Sequence, residues 1–287
     1  VAYAFNLDEP LPAEIRRIMD EQVVRARTQL TDAAAPLDQR VHDARKRFKE
    51  TRALIRLLRE PLGAQFALEN AWFRDAGRDL SAARDADAVI EALLTLALPR
   101  HIRARAKRAL MARRHTNSAE LAARIANVLE QLVVAQARVA LWPAVRDSFE
   151  TLAPGLARTY REGRRAMDNS GMPHELHEWR KRVKEHWYHV QLLRNLWPPM
   201  MKAYAAVLED LSHALGDHHD LFELRQLVAR TPAVFGRPPS VITILDAIEA
   251  RQRELESAAL EMGRRVYAER PRAWLARMRN LRSTWPR

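Results

Sequence analysis

The sequence predicts an all-α protein made of two related helical halves. Three observations lead there. Glycine is scarce, 8 residues in 287, while Ala, Leu, Arg and Glu are plentiful. Alternating polar and apolar runs, the mark of half-buried strands, are few. The third observation is a phrase written twice: residues 42–59 read HDARKRFKETRALIRLLR and residues 177–194 read HEWRKRVKEHWYHVQLLR, offset by 135 positions without a gap. His42, Arg45, Lys46, Arg47, Lys49 and Glu50 recur as His177, Arg180, Lys181, Arg182, Lys184 and Glu185. Such self-similarity predicts an internal duplication, with a first half over 1–117 and a second over 118–287.

The elements follow from periodicity and from Pro, Gly and cap signals. A first helix is expected from about Pro12, a residue suited to an early helical position, to Ala34, with Ala35-Pro36 as the break. Asp38 can cap the next helix, which carries the first copy of the phrase and stops near Pro61. Helical pattern resumes from Leu62 to Leu98, with a break expected at Gly77. Pro99 opens a short basic helix from Arg100 to Arg114, and Thr116-Asn117-Ser118 reads as turn and cap. A long helical stretch from Ala119 is broken or kinked at Pro143 and Pro154. Asn169 to Pro173 is a loop, the second copy follows as far as Pro198, and another stretch reaches Arg230. Pro232 to Pro239 is a loop, and a last long helix from Ser240 continues past Pro271 as a kinked tail. The offset also lays Leu80–Asp85 on Leu215–Asp220. Each half therefore reads as a small antiparallel bundle, with Asp85 and Asp220 as caps or partners of basic side chains.

Composition narrows the partner. Net charge is +12 and the pI near 10.7, a balance that favours a phosphate-rich partner: nucleic acid, polyphosphate or an anionic membrane face. No apolar run is long enough to span a bilayer, so membrane insertion is not expected. The chain has no Cys, which excludes disulfides, zinc–thiolate sites and thiol catalysis. No secretory segment is visible at the start, and a cytoplasmic location is expected.

The repeated helix carries a binding face. At 100° per residue, His42, Arg45, Lys46, Lys49, Arg52 and Arg56 share one arc of about 120°. Val41, Ala44, Phe48, Thr51, Ile55 and Leu58 fill a neighbouring arc that suits a core. In the second copy His177, Arg180, Lys181 and Lys184 repeat the stripe, while Leu176, Trp179, Val183, Val190 and Leu193 repeat the packing side. Arg47 and Arg182 point elsewhere and can pair with Glu50 and Glu185. Solvated helix faces usually mix signs, because like charges four apart repel by a few tenths of a kcal/mol. Here no acid lies within the stripe, and the same cost recurs at matched positions. That pattern argues for an anion site, and an Arg–Lys mixture suits a linear polyanion. Arg100, Arg103, Lys107 and Arg114 share an arc of the next basic helix, which either extends the site or serves as solubilising surface.

Motifs for chemistry are missing. No Gly-rich phosphate loop, nucleophile elbow or zinc-protease motif appears. The stripe holds no carboxylates for the metal ions that phosphoryl transfer uses. His218-His219 between Asp217 and Asp220 is the best metal-like cluster, yet adjacent helical residues diverge by 100°. His186 and His189 share a face at i+3. Neither is expected to hold metal, and no cofactor is expected. His42 and His177 can hydrogen-bond phosphate as neutral donors. Exposed aromatics that would stack on bases are lacking among the cations, since Phe48 and Trp179 fall on the packing side.

The doubled H-x-x-R-K-x-x-K pattern at the start of a helix resembles the CHAD family, the conserved histidine α-helical domains, over nearly the whole chain. The resemblance implies one domain over 1–287, with two helix bundles related by a pseudo-twofold axis and a basic groove or channel between them that binds inorganic polyphosphate. It implicates His42, Arg45, Lys46, Lys49, Arg52 and Arg56 in one half and His177, Arg180, Lys181 and Lys184 in the other. Tyr188 fits a position often aromatic there. Trp187 and Gln191 stand opposite Arg52 and Arg56 where cations are usual, so the second half is expected to grip fewer phosphates. The triphosphate-cleaving domain often fused to such modules carries E-x-E-x-K. Here Glu254-Leu255-Glu256 runs into Ser257-Ala258, which implies a stand-alone module. The combined expectation is a non-enzymatic polyphosphate-binding protein, cytoplasmic and located on polyphosphate granules. The alternatives are an RNA-binding protein, with nucleic acid as the competing polyanion, and a scaffold docking on granules. Oligomeric state and chain-length preference are not set by these residues.

Overall fold

The computed structural model describes residues 3–80, 85–113 and 118–284, and among them it holds thirteen α-helices and no strand. They are α1 (Leu11–Thr31), α2 (Leu37–Leu57), α3 (Arg59–Leu62), α4 (Gln65–Asp79), α5 (Asp85–Leu94), α6 (Arg100–Ala112), α7 (Ser118–Val139), α8 (Ala153–Asp168), α9 (Pro173–Leu192), α10 (Pro198–Arg230), α11 (Pro232–Phe235), α12 (Pro238–Val266) and α13 (Pro271–Ser283). The all-α expectation holds. Proline occupies the first turn of α1, α8, α9, α10, α11, α12 and α13. A proline there removes no bond, because the first-turn N–H groups have no intrahelical acceptor.

Several boundaries differ from expectation. Asp38 does not cap α2: Pro36 is the N-cap, without a side-chain bond, and Asp38 sits in the first turn, where its charge meets the positive end of the helix dipole. Gly77 lies within α4, and the break expected there falls two residues later, where α4 ends at Asp79. A separate turn, between α3 and α4, comes at Gly63, whose φ of +51° suits glycine. Of the two alternatives at Pro143 the break is the one found, since α7 ends at Val139 and α8 begins at Ala153, while Pro154 breaks nothing and sits in the first turn of α8. The final stretch does not run through Pro271, since α12 stops at Val266 and α13 starts anew. Within the expected 232–239 loop, Pro232–Phe235 forms the short α11. Residues 81–84 and 114–117 and the side chains of Asp85 and Ser118 lie outside the described residues, and with them the turn and cap expected at Thr116-Asn117-Ser118.

Packing places each repeat helix in the middle of a layer. Helix α2 lies between α1 and α4, and α9 between α8 and α10. The predicted packing arcs are the buried ones: Val41, Ala44, Phe48, Thr51 and Ile55 on α2 with its C-cap Leu58, and Leu176, Trp179, Val183 and Val190 on α9 with its C-cap Leu193, are each at most 3% exposed. The two repeat helices also pack on one another. His189 Nε2 lies 2.8 Å from the Ala53 carbonyl oxygen, and Arg56 pairs with Glu185 across the seam. The N-terminal strap laces the same seam, with the Tyr3 hydroxyl donating to the Glu50 carbonyl at 2.7 Å and the Phe5 N–H to the Leu192 carbonyl at 2.9 Å. Helix α8 reaches the end of α2 at Gly155, where a Cβ would collide with the Leu57 carbonyl.

Candidate polyanion-binding site

The packing arcs determine where the charged arcs go. With the apolar sides of α2 and α9 turned into their layers, the cationic flanks converge beside the seam. The strongest sign is the state of two lysines. Lys49 is exposed at the surface, yet its pKa falls to about 8, through lost hydration and then through Arg45, Lys184, Arg180 and Arg52. Lys184 also falls to about 8, through lost hydration and then Arg180, with Lys46 adding to the shift and Glu209 and Glu50 opposing it. Each lysine thus lies in the field of cations from the other helix. Lys184 Nζ stands 4.1 Å above the Trp187 ring, a cation–π contact that holds the amine in place. Trp187, the expected departure from the cation pattern, is itself buried.

The rest of the first stripe divides. Arg45, Lys49 and Arg52 line an open pocket of about 250 Å³ together with Phe48, Phe73, Arg74, Gly77 and Arg78. Arg52 falls to about 10 through burial, then Arg56 and Arg74, and its Nε donates to Asn70 at 3.3 Å. Arg56 is committed elsewhere: it is held by Glu185, the buried acid that also takes Arg182 at 3.7 Å. The expected Arg47–Glu50 pair forms at 2.7 Å. Arg182 lies closer to Glu162, at 2.9 Å, than to Glu185. The stripe was read as free of acid, and along one helix it is. The fold brings Glu185 to Arg56 from the opposite helix.

In the second stripe, Arg180 lies against Gly216 of α10, its Nε 3.5 Å from where a Cβ would be. The His177 and His219 rings pack against one another, tilted by 40° with centroids 4.2 Å apart. Burial, Lys181 and Arg180 hold His177 below its usual value. His219 falls to about 4 through burial, His177 and Arg180. Each shift favours the neutral ring, the form in which His177 can donate to phosphate. Lys181 is exposed and paired with Glu178, one turn away from the lysine pair. His42 is half-buried and already engaged.

The other basic helix packs mainly on elements other than α2 and α9. The main partners of α6 are α5 and α11. Arg100 and Lys107 are exposed, and Arg103 donates to the Leu96 carbonyl at 2.9 Å. The histidines His186, His189 and His218 are buried in the fold. His186 is fully buried between the Tyr204 and Tyr267 hydroxyls, each 3.4 Å away, and falls to about 3 through burial. His218 is buried, and His219 turns to His177. Among the described residues no three His, Asp or Glu side chains gather as metal ligands. No helix there is long and apolar enough to cross a membrane.

Arg74 and Arg78 escaped the sequence reading. They lie on α4, outside the repeated phrase, four residues apart on one helix face. The 135-residue offset carried the signal, since it sets Arg74 against Glu209 and Arg78 against His213. That comparison isolates two cations peculiar to the first half.

Comparison with known proteins identifies the family and the fold. The family model for the CHAD domain matches residues 17–229. No curated protein matches the chain. The crystal structure of the CHAD domain from the plant Ricinus communis superposes on it with a TM-score of 0.67 at 18% identity, covering 94% of this chain and 96% of that one. That likeness is one of fold. With the family model spanning most of the sequence, the chain belongs to the CHAD domain family.

Proposed function

We propose that this protein binds inorganic polyphosphate along the α2–α9 seam and performs no chemistry on it. One observation carries the reading: Lys49 and Lys184, from helices 135 positions apart in sequence, lie in one cation field with Arg45, Arg52 and Arg180. Folding gathers these charges against their mutual repulsion and with partial loss of hydration, so the cluster is destabilising until an anion enters. A row of Arg forks and mobile Lys charges suits successive phosphates of one chain. CHAD domains are commonly linked to polyphosphate binding, and the repeated phrase supplies the residues. The charges that act most on Lys49 are all cations, and Glu209 and Glu50 oppose them only at Lys184, a balance that favours holding an anion over gathering metal ions for cleavage. The proposal includes the cytoplasmic, granule-associated location.

The test is competition between long-chain polyphosphate and single-stranded RNA for the protein at physiological ionic strength. Polyphosphate should displace RNA at much lower phosphate concentration. Phe48 and Trp179, the aromatics nearest the cations in sequence, are buried and offer no face for base stacking. RNA winning that competition would make the protein a nucleic-acid binder.

A further inference from the structure

The cations beside the seam are not distributed evenly between the halves. The pocket between α2 and α4 gathers Arg45, Lys49, Arg52, Arg74 and Arg78 over a floor of Phe48 and Phe73. One acid is held there: Asp75 takes two bonds from Arg74 at 2.9 Å and one from Arg78 at 2.8 Å. Asp75 thereby fixes two of the pocket's five cationic side chains. At the positions 135 residues on stand Arg180, Lys184, Trp187, Glu209 and His213. Two cations remain, Trp187 is buried, and Glu209 acts on Lys184 with the opposite sign. A linear polyanion crossing the lysine pair therefore meets an acid toward α10 and two further arginines toward α4.

We infer that the bound polyphosphate chain leaves the seam on one side only, along α4, where Arg74 and Arg78 form a second phosphate subsite. This rests on the polyphosphate reading and adds direction and length to it. Short chains fill the Lys49–Lys184 centre, and only longer ones reach α4. Both arginines stay largely open to solvent, 48% and 66% exposed, so an incoming phosphate needs no rearrangement of the fold.

The experiment compares wild type, Arg74→Ala/Arg78→Ala and a charge-matched control, Arg253→Ala/Arg265→Ala. The control removes two arginines of α12 that are likewise paired with carboxylates and exposed. Titrations use tripolyphosphate and long-chain polyphosphate at several salt concentrations, with melting curves to verify the fold. For the α4 variant, long-chain affinity should fall about tenfold. Its salt slope should drop by about 1.5, as for two lost phosphate contacts. Tripolyphosphate affinity should stay within about twofold, and the control should match wild type. A third variant, Arg74→Ala/Asp75→Ala/Arg78→Ala, should behave like the double variant, which removes an unpaired Asp75 as the cause. Equal losses for both probes, equal losses in the control, or no loss at all would each overturn the one-sided subsite. Failure of wild type to bind long-chain polyphosphate would instead overturn the underlying reading.

Discussion

Replacing Lys49 by Gln should make the protein more stable and a poorer binder. A lysine held at about 8 rather than 10.5 corresponds, at about 1.4 kcal/mol per decade, to roughly 3 kcal/mol of strain on its charged form. Lys49 is exposed, and solvent screening reduces that figure to about 1 kcal/mol. For a chain of this size, about 1 kcal/mol moves the melting temperature by roughly 2 °C. The pH dependence has a definite sign. The folded pKa lies below the unfolded one, so the unfolded chain binds more protons between about 8 and 10.5, and wild-type stability rises with pH there. The advantage of Lys49→Gln should thus be full below about pH 8 and vanish toward 10.5. Thermal melts of both proteins from neutral to alkaline pH, beside polyphosphate titrations at neutral pH, measure both sides. A variant that is no more stable at neutral pH, or that binds like wild type, would refute the idea that this charge is held against its own cost for a ligand.

Changing Arg45, Lys46 and Lys49 together to Ala should weaken polyphosphate binding strongly while the helix stays intact. The same change at Arg180, Lys181 and Lys184 should weaken it less, because Lys181 is paired with Glu178 away from the centre; titration and circular dichroism of both variants decide this. Binding should fall steeply with salt, as counterion release requires, and proceed in the presence of a chelator with chain length unchanged on gels. Gly155→Ala should cost roughly 1–3 kcal/mol in denaturant unfolding, because α8 can no longer approach the Leu57 carbonyl. An unaltered midpoint would show that α8 and α2 can separate freely.

Periodicity and the doubled phrase determined a great deal alone. Helical class, the buried arcs of α2 and α9 and the direction of their charged arcs follow from spacing, because 100° per residue fixes which side chains share a face whatever the neighbours are. Phe48 and Trp179 lie in the core for that reason. Tertiary structure decided which charges meet. Glu185, read as the local partner of Arg182, reaches Arg56 on the opposite helix, since a pair between helices depends on how they cross. Lys49 and Lys184 became one cluster by the same crossing, while Arg100, Arg103 and Lys107, alike in composition, went to a helix packed on α5 and α11. Arg74 and Arg78 joined the site because α4 packs beside α2. A sequence states the charge on each helix face; only packing brings faces of like charge within reach of one another, and a polyanion site consists of that proximity.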